Sequence, residues 1–245
     1  MLQGKTVLVT GSSRGIGAVI ARLAKRYGAE VILHGRLESK ELTALAKELD
    51  APFVTFDVSD DEAVRWEMSK LGKIDVLVNN AGINPSKTFQ NLTNNDWKEI
   101  FGINFFGAVN VSRVVLEGMT RRKNGAIINI ASIKGFPYVA GKPAYAASKA
   151  ALIQFTARMA EEFAPQGIRI NAVAPGFTET ELTTGTLRQE EAQGKTVLCD
   201  QIAKIPMKRM ANPQEIAEVV LFLASDKASY INGQCLAVDG GLSIV

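Results

Sequence analysis

The stretch Lys5-Thr6-Val7-Leu8-Val9-Thr10-Gly11-Ser12-Ser13-Arg14-Gly15-Ile16-Gly17 decides the fold. Its first half is short, apolar and β-branched, which suits a strand buried on both faces of a parallel sheet. Its second half turns on glycines and opens a helical pattern over 16–27. A helix that starts there presents unpaired N–H groups and the positive end of its dipole, a setting that holds a pyrophosphate. Glycines let the backbone turn sharply and come close to such a ligand. The spacing is Gly-x-x-x-Gly-x-Gly, not the usual Gly-x-Gly-x-x-Gly, so the place after a first strand carries more weight than the glycines themselves. The predicted dinucleotide contacts are Gly11, Ser13, Arg14, Gly15, Ile16 and Gly17.

Outward from this stretch, strand and helix patterns alternate. Further strands are predicted at 31–33, 53–56, 75–79, 126–130, 168–173 and 234–238. Helices are predicted at 38–49, 60–71, about 96–121 and 143–163. A last helix is capped by Asn212 with Pro213 at its first position, and Ile216, Val219, Val220 and Leu223 form its buried stripe. Repeated βα units predict one α/β domain over 1–245: a Rossmann-type, doubly wound parallel sheet of about seven strands with helices on both faces. The one irregular stretch, at about 176–212, is predicted to be a lid over the substrate.

Composition narrows the function. The 245 residues are 47% hydrophobic, enough for a sizeable core, and carry a net charge of +3. The longest basic run, Arg121-Arg122-Lys123, suits a helix C-terminus and is too short for a nucleic-acid surface. No apolar stretch reaches membrane-spanning length and no cleavable signal opens the chain, so a cytoplasmic protein without a membrane partner is expected. Cys199 and Cys235 lack metal or redox spacing and read as reduced thiols. The single histidine, His34, rules out a histidine-rich metal site, and no metal is expected. Ser-His-Asp hydrolysis would have to use His34, which ends an apolar run and reads as a strand-end residue. Any catalytic base must be something else.

Tyr145-Ala146-Ala147-Ser148-Lys149 supplies a substitute. On a helix, Tyr145 and Lys149 lie one turn apart on one face. Bringing a phenol from about 10 to about 7 takes roughly 4 kcal/mol. One cation at about 4 Å and an effective dielectric near 20 supplies about that much. At the end of the second strand, His34-Gly35-Arg36 offers no carboxylate for ribose hydroxyls, while Arg14 and Arg36 offer two guanidiniums. That pairing suits a 2′-phosphate, so NADP(H) is preferred and NAD(H) is the alternative.

Three more pieces complete a pattern: Asn79-Asn80-Ala81-Gly82 after the fourth strand, Ser132 after the fifth, and Pro175-Gly176 after the sixth. Together with the glycine turn and the Tyr145–Lys149 pair, the chain resembles the short-chain dehydrogenase/reductase family in its compact single-domain branch. The resemblance implies Asn104, Ser132, Tyr145 and Lys149 as catalytic residues. Tyr145 would be the general acid in carbonyl reduction, Lys149 would tune it and hold the nicotinamide ribose, and Ser132 would bind the substrate oxygen. Asn104 would anchor a water relay to the lysine. Asp57 and Val58 would meet the adenine; Asn80, Ala81 and Gly82 would line the cofactor, as would Pro175 and Gly176; Thr178 and Thr180 would meet the carboxamide end.

Within that family the chain is most similar to 3-oxoacyl reductases acting on acyl-carrier-protein or CoA thioesters. Lys123 matches one of their basic carrier-docking positions, whereas Gln166 replaces the other. The lid is also longer than theirs, which leaves a sugar, steroid or other secondary alcohol as the alternative substrate. A dinucleotide-binding sensor without chemistry would be expected to lose Tyr145 or Lys149, and both are present. The resemblance further implies a homotetramer or dimer.

Overall fold

Seven strands form one sheet: β1 (Thr6–Val9), β2 (Glu30–Gly35), β3 (Phe53–Thr55), β4 (Val76–Asn79), β5 (Gly125–Ile130), β6 (Ile168–Pro175) and β7 (Cys235–Val238). Their order is β3-β2-β1-β4-β5-β6-β7, and every pairing is parallel. The helices are α1 (Gly15–Arg26), α2 (Lys40–Leu49), α3 (Asp61–Ser69), α4 (Asn94–Phe101), α5 (Gly107–Arg122), α6 (Pro143–Phe163), α7 (Leu198–Lys204) and α8 (Pro213–Ala224). This computed structural model describes the chain except residues 138–140, 182 and 186–197, with backbone only at 198 and 199. The predicted α/β doubly wound architecture is the one observed.

Successive strand residues face opposite layers, which explains why the apolar runs are continuous. Val7, Val9, Val31, Leu33, Val76 and Val78 pack with α1, α2 and α8. Leu8, Ile32, Leu77, Ile127 and Ile170 pack on the other side with residues of α3, α5 and α6. Polar caps set the helix starts. Ser39 accepts from Leu42 N–H, and Asp60 accepts from Glu62 and Ala63 N–H. Thr93 with Asp96, and Asn212 with Glu215, form capping boxes, each such cap contributing about 1 kcal/mol.

The long helix predicted at about 96–121 needs correction. It starts earlier, at Asn94, because the Thr93–Asp96 box closes its first turn. It is then interrupted by a π-helical turn at Gly102–Phe106. Gly107 lies so close to Val58 that a Cβ there would stand 2.5 Å from Val58 Cγ2. The π turn lets the helix make that approach and carries Asn104 into the interior, 1% exposed. The run Asn94–Arg122 also reaches membrane-spanning length and contains an 18-residue window of mean hydropathy 1.3, which the sequence reading did not credit. Half of that window is buried against the fold, as in the core helix of a globular domain.

Between the sheet and α5 and α6 lies a buried amide chain. Asn79 Nδ2 donates to Asn129 Oδ1 (2.9 Å) and to Ser112 Oγ (3.0 Å). Asn129 Nδ2 donates in turn to Thr156 Oγ1 (2.9 Å). These bonds fix the placement of α6, and so of Tyr145 and Lys149, against β5. Strand order reverses between β1 and β4, which opens a crevice at their carboxyl ends.

Candidate active site

The β1–α1 turn forms one wall of that crevice. Thr10 Oγ1 accepts from Asn80 N–H (2.9 Å) and Ala81 N–H (3.1 Å). Asn80 Nδ2 donates to the carbonyls of Thr10 and Gly11, both at 2.9 Å. Asn80 therefore works as a clamp across the turn, with its amide spent on backbone. Gly11 has φ +62, and a Cβ there would sit 2.9 Å from Ala81 Cα. The cradle is thus one that only glycine leaves open. The first turn of α1 holds no acidic residue, and its N–H groups at Gly15, Ile16 and Gly17 face the crevice end without intrahelical partners. Ser13 precedes them on the same limb, and Arg14 is the N-cap residue. An anionic pyrophosphate fits this arrangement.

Arg14 and Arg36 both stand at the surface beside the turn. Arg14 lies 3.8 Å from Glu181, both side chains largely exposed, so that pair adds little stability. Farther along the edge, the Asp57 carboxylate accepts from Ser59 N–H (2.9 Å) and Ser59 Oγ (2.6 Å). Val58 is buried, and its carbonyl accepts from Asn110 Nδ2 at 3.0 Å.

The other wall is built by β5 and α6. Ser132 follows β5, 8% exposed, with its hydroxyl near enough to Tyr145 to lower the phenol. Lys149 is 4% exposed and donates from Nζ to the Ile130 carbonyl at 2.7 Å. Its Nζ stands 5.8 Å from the centre of the Tyr145 ring. Burial holds Lys149 down to about 8. Burial also pushes the Tyr145 hydroxyl above its usual range, and the Ser132 hydroxyl pulls partly the other way. This differs from the depression expected of a cation beside a phenol. The reason is geometric: the ammonium is directed to a backbone carbonyl, and desolvation of the phenol dominates. Tyr145 is therefore a protonated hydroxyl at neutral pH, able to give a proton.

Asn104 ties the two walls together. Its Oδ1 accepts from Ile83 N–H (2.8 Å), and its Nδ2 donates to the Ile83 carbonyl (3.0 Å) and Ser148 Oγ (3.1 Å). Ser148 Oγ donates on to the Tyr145 carbonyl at 2.7 Å. A Cβ on Gly82 would lie 3.2 Å from Asn104 Oδ1 and 3.7 Å from Lys149 Nζ. The loop after β4, the π turn and α6 thus converge on one point. Sequence reasoning named Asn104 only through a resemblance; Gly102 and Gly107 flanking it were the local signal of a break in the helix.

Beyond β6, Gly176 N–H donates to the Val238 carbonyl (2.9 Å). Thr178 is 2% exposed and pairs with Ala211 in an isolated parallel bridge. Glu179 N–H donates to Ala211 O, and Ala211 N–H donates to Phe177 O, both at 2.9 Å. These bonds form a neck that ties the two ends of the predicted lid. Thr180 extends from the neck over the glycine turn, its Cγ2 3.8 Å from where a Gly15 Cβ would be. The middle of the lid, including Gly194, falls outside the described residues, as does the Cys199 side chain. Cys235 is unpaired, and burial raises its thiol to about 11. Among the described residues no group of three or more His, Cys, Asp or Glu could hold a metal.

His34, read from sequence as a strand-end residue, stands near the end of β2; it is also 2% exposed and joined to the turn. Its Nδ1 accepts from Gly11 N–H at 3.0 Å, and its Nε2 lies 3.0 Å from the Phe56 carbonyl. Burial lowers it to about 4 against an ordinary 6.5. Between those values the unfolded chain takes a proton that the folded chain refuses, so stability falls as pH drops through this window. The loss comes to about 3 kcal/mol and is complete only below pH 4. Urea unfolding at pH 7 and pH 4.5 checks this: His34→Asn should flatten the slope, and equal slopes would contradict it.

Fold and site together define a dinucleotide-dependent oxidoreductase. The family model described as enoyl-(acyl carrier protein) reductase matches residues 11–243. The chain is 40% identical to the 3-oxoacyl-[acyl-carrier-protein] reductase FabG of Thermotoga maritima, covering 99% of both chains. It is 39% identical to the oxidoreductase UcpA of Salmonella typhimurium, covering 99% of this chain and 96% of that one. Among solved structures, a gluconate 5-dehydrogenase from Burkholderia cenocepacia in complex with NADP and tartrate superposes with TM-score 0.91 at 34% identity. That match covers 100% of this chain and 97% of the other. The chain belongs to the short-chain dehydrogenase/reductase family.

Proposed function

We propose that the protein is an NADPH-dependent reductase of 3-oxoacyl thioesters. The observation that carries the chemistry is the convergence of Ser132, Tyr145 and the buried Lys149, whose Nζ stands 5.8 Å from the centre of the Tyr145 ring and is held by the Ile130 carbonyl. When bound, NADPH supplies a hydride to the carbonyl carbon. The Tyr145 hydroxyl gives its proton to the carbonyl oxygen, completing the secondary alcohol. Ser132 holds that oxygen while negative charge develops on it. The Lys149 ammonium stabilises the tyrosinate left behind, and Asn104 holds Gly82–Ile83 and α6 in register around it. The Tyr145 hydroxyl carries its proton at neutral pH, as proton donation to a carbonyl oxygen requires. The neck and Thr180 support the reading of about 176–212 as a lid.

The substrate reading is supported by the similarity to several 3-oxoacyl-[acyl-carrier-protein] reductases. Exposed Arg121 and Lys123 at the end of α5 would suit an acidic carrier protein. A second reading, oxidation or reduction of a sugar acid, is favoured by two lysines on the loops flanking Ser132 and Tyr145. Lys142 Nζ donates to Ser86 Oγ at 3.0 Å, and Lys134 Nζ lies 3.7 Å from where a Gly141 Cβ would be. Steady-state rates on acetoacetyl-CoA against sugar acids, neutral sugars and cyclic ketones separate the two. Turnover of acetoacetyl-CoA supports the thioester reading; no turnover of any thioester rejects it.

NADPH should bind at least tenfold more tightly than NADH, and Arg36→Ala should weaken NADPH about tenfold while leaving NADH nearly unchanged. A clear NADH preference would sink this reading. A cytoplasmic homotetramer is also proposed; exposed Phe106, Phe222, Leu236, Ile244 and Val245 supply apolar surface for its contacts, and light scattering measures its mass.

A further inference from the structure

We infer that His34 is a positioning residue for the dinucleotide, and that its neutral ring sets which N–H groups of the glycine turn face the ligand. The inference rests on reading this turn as the pyrophosphate seat. Four hydrogen bonds lock His34 to the turn. Gly11 N–H donates to the ring Nδ1 (3.0 Å), and Ser12 N–H donates to the His34 carbonyl (2.9 Å). His34 N–H donates to Ser12 Oγ (2.8 Å), which itself donates to the His34 carbonyl (3.3 Å). Both His34 and Ser12 are closed to solvent. An Nδ1 that accepts must be bare, so the ring proton sits on Nε2, where it donates to the Phe56 carbonyl. The two ring contacts therefore demand one and the same tautomer. The ring also packs on Phe56, with centroids 4.2 Å apart.

Two consequences follow for the ligand. The N–H groups of Gly11 and Ser12 are turned back toward β2, so donors toward a pyrophosphate begin at Ser13. Gly11 then serves by its shape and its carbonyl bond to Asn80, not as a donor. At the other ring edge, the hold on Phe56 fixes the backbone that leads directly into Asp57 and Val58. One side chain thus sets the distance between the phosphate turn and the segment expected to flank the adenine. No other imidazole exists in the chain to obscure it.

The test uses two substitutions that each keep half of the ring. His34→Asn places an amide oxygen near Nδ1 and retains the acceptor for Gly11. His34→Gln places an amide nitrogen near Nε2 and retains the donor to Phe56. In the unaltered protein without nucleotide, 15N NMR of the single imidazole should show one bare and one protonated nitrogen, with coupling from Gly11 N–H to the bare one. In His34→Gln, Gly11 amide exchange should accelerate about tenfold relative to amides of β1 and β4, and the NADPH dissociation constant should rise about tenfold. His34→Asn should restore both to within about threefold, and kcat at saturating NADPH should change by less than about threefold in each variant. A protonated Nδ1 in the unaltered protein would overturn the inference. So would equal acceleration of all core amides in both variants, which marks a merely structural role, or an unchanged NADPH dissociation constant in His34→Gln. The NMR and exchange readouts need no nucleotide, so failure of the NADP reading alone would leave them standing.

Discussion

Tyr145→Phe should lower kcat for carbonyl reduction by about a thousandfold, in the range expected for loss of a positioned proton donor. The substitution deletes one oxygen and leaves the ring, so α6 and its packing should persist. Ser132 loses the Tyr145 hydroxyl beside it but keeps its bond from Lys134 N–H at 3.2 Å. Lys149 keeps the Ile130 carbonyl. Affinity for NADPH should accordingly change less than about threefold, which separates lost chemistry from lost binding. The measurement is a pair: single-turnover rate with the substrate panel, and NADPH binding by fluorescence. An undiminished rate in the variant would remove Tyr145 from the mechanism.

Gly17→Ala is the second large effect, and here folding and binding should suffer together. A Cβ at this position would fall 2.5 Å from Asn80 Nδ2 and closer still to the Gly11 carbonyl oxygen. Neither obstacle is the loose end of a flexible chain. The carbonyl is backbone, and the amide is pinned by two bonds at 2.9 Å to that same turn. Overpacking of this kind costs about 1–3 kcal/mol, and any relief must open the turn that seats the pyrophosphate. The melting temperature should fall by several degrees and NADPH affinity by more than about tenfold. Retention of wild-type NADPH affinity would show that the turn tolerates a Cβ and that the clamp is softer than its geometry.

The sheet was legible because its central strands are buried on both faces. Val7-Leu8-Val9 and Ala126-Ile127-Ile128 send alternate side chains into two cores, so the sequence shows unbroken apolar runs with glycine or polar ends. Helix starts were legible where Asn212 and Asp60 cap them. The π turn was not, since Gly102-Ile103-Asn104-Phe105-Phe106 keeps helical hydropathy and only the flanking glycines hint at a break; the close approach of Gly107 to Val58 is distant in sequence. Tyr145 and Lys149 stood out by spacing and Ser132 through the family resemblance, and the three lie together in the structure. Their electrostatics did not, because Lys149's hydrogen bond to Ile130 depends on the relative placement of β5 and α6. The strand-end place of His34 was legible, but its ties to Gly11 and Phe56 were not, for the same reason: these partners are far away in sequence.

The neck between Phe177 and Ala211 has a consequence for change over time. Two backbone hydrogen bonds, which together make the Thr178–Ala211 bridge, close the loop where it leaves the sheet. Once the ends are fixed, doubling a loop's length costs only about 0.6 kcal/mol in closure entropy. The insertion can therefore lengthen, shorten or be exchanged while proton donor, lysine and phosphate turn stay where they are. If the insertion is the proposed lid, the choice of substrate would be a removable part, mounted on chemistry that does not have to be rebuilt.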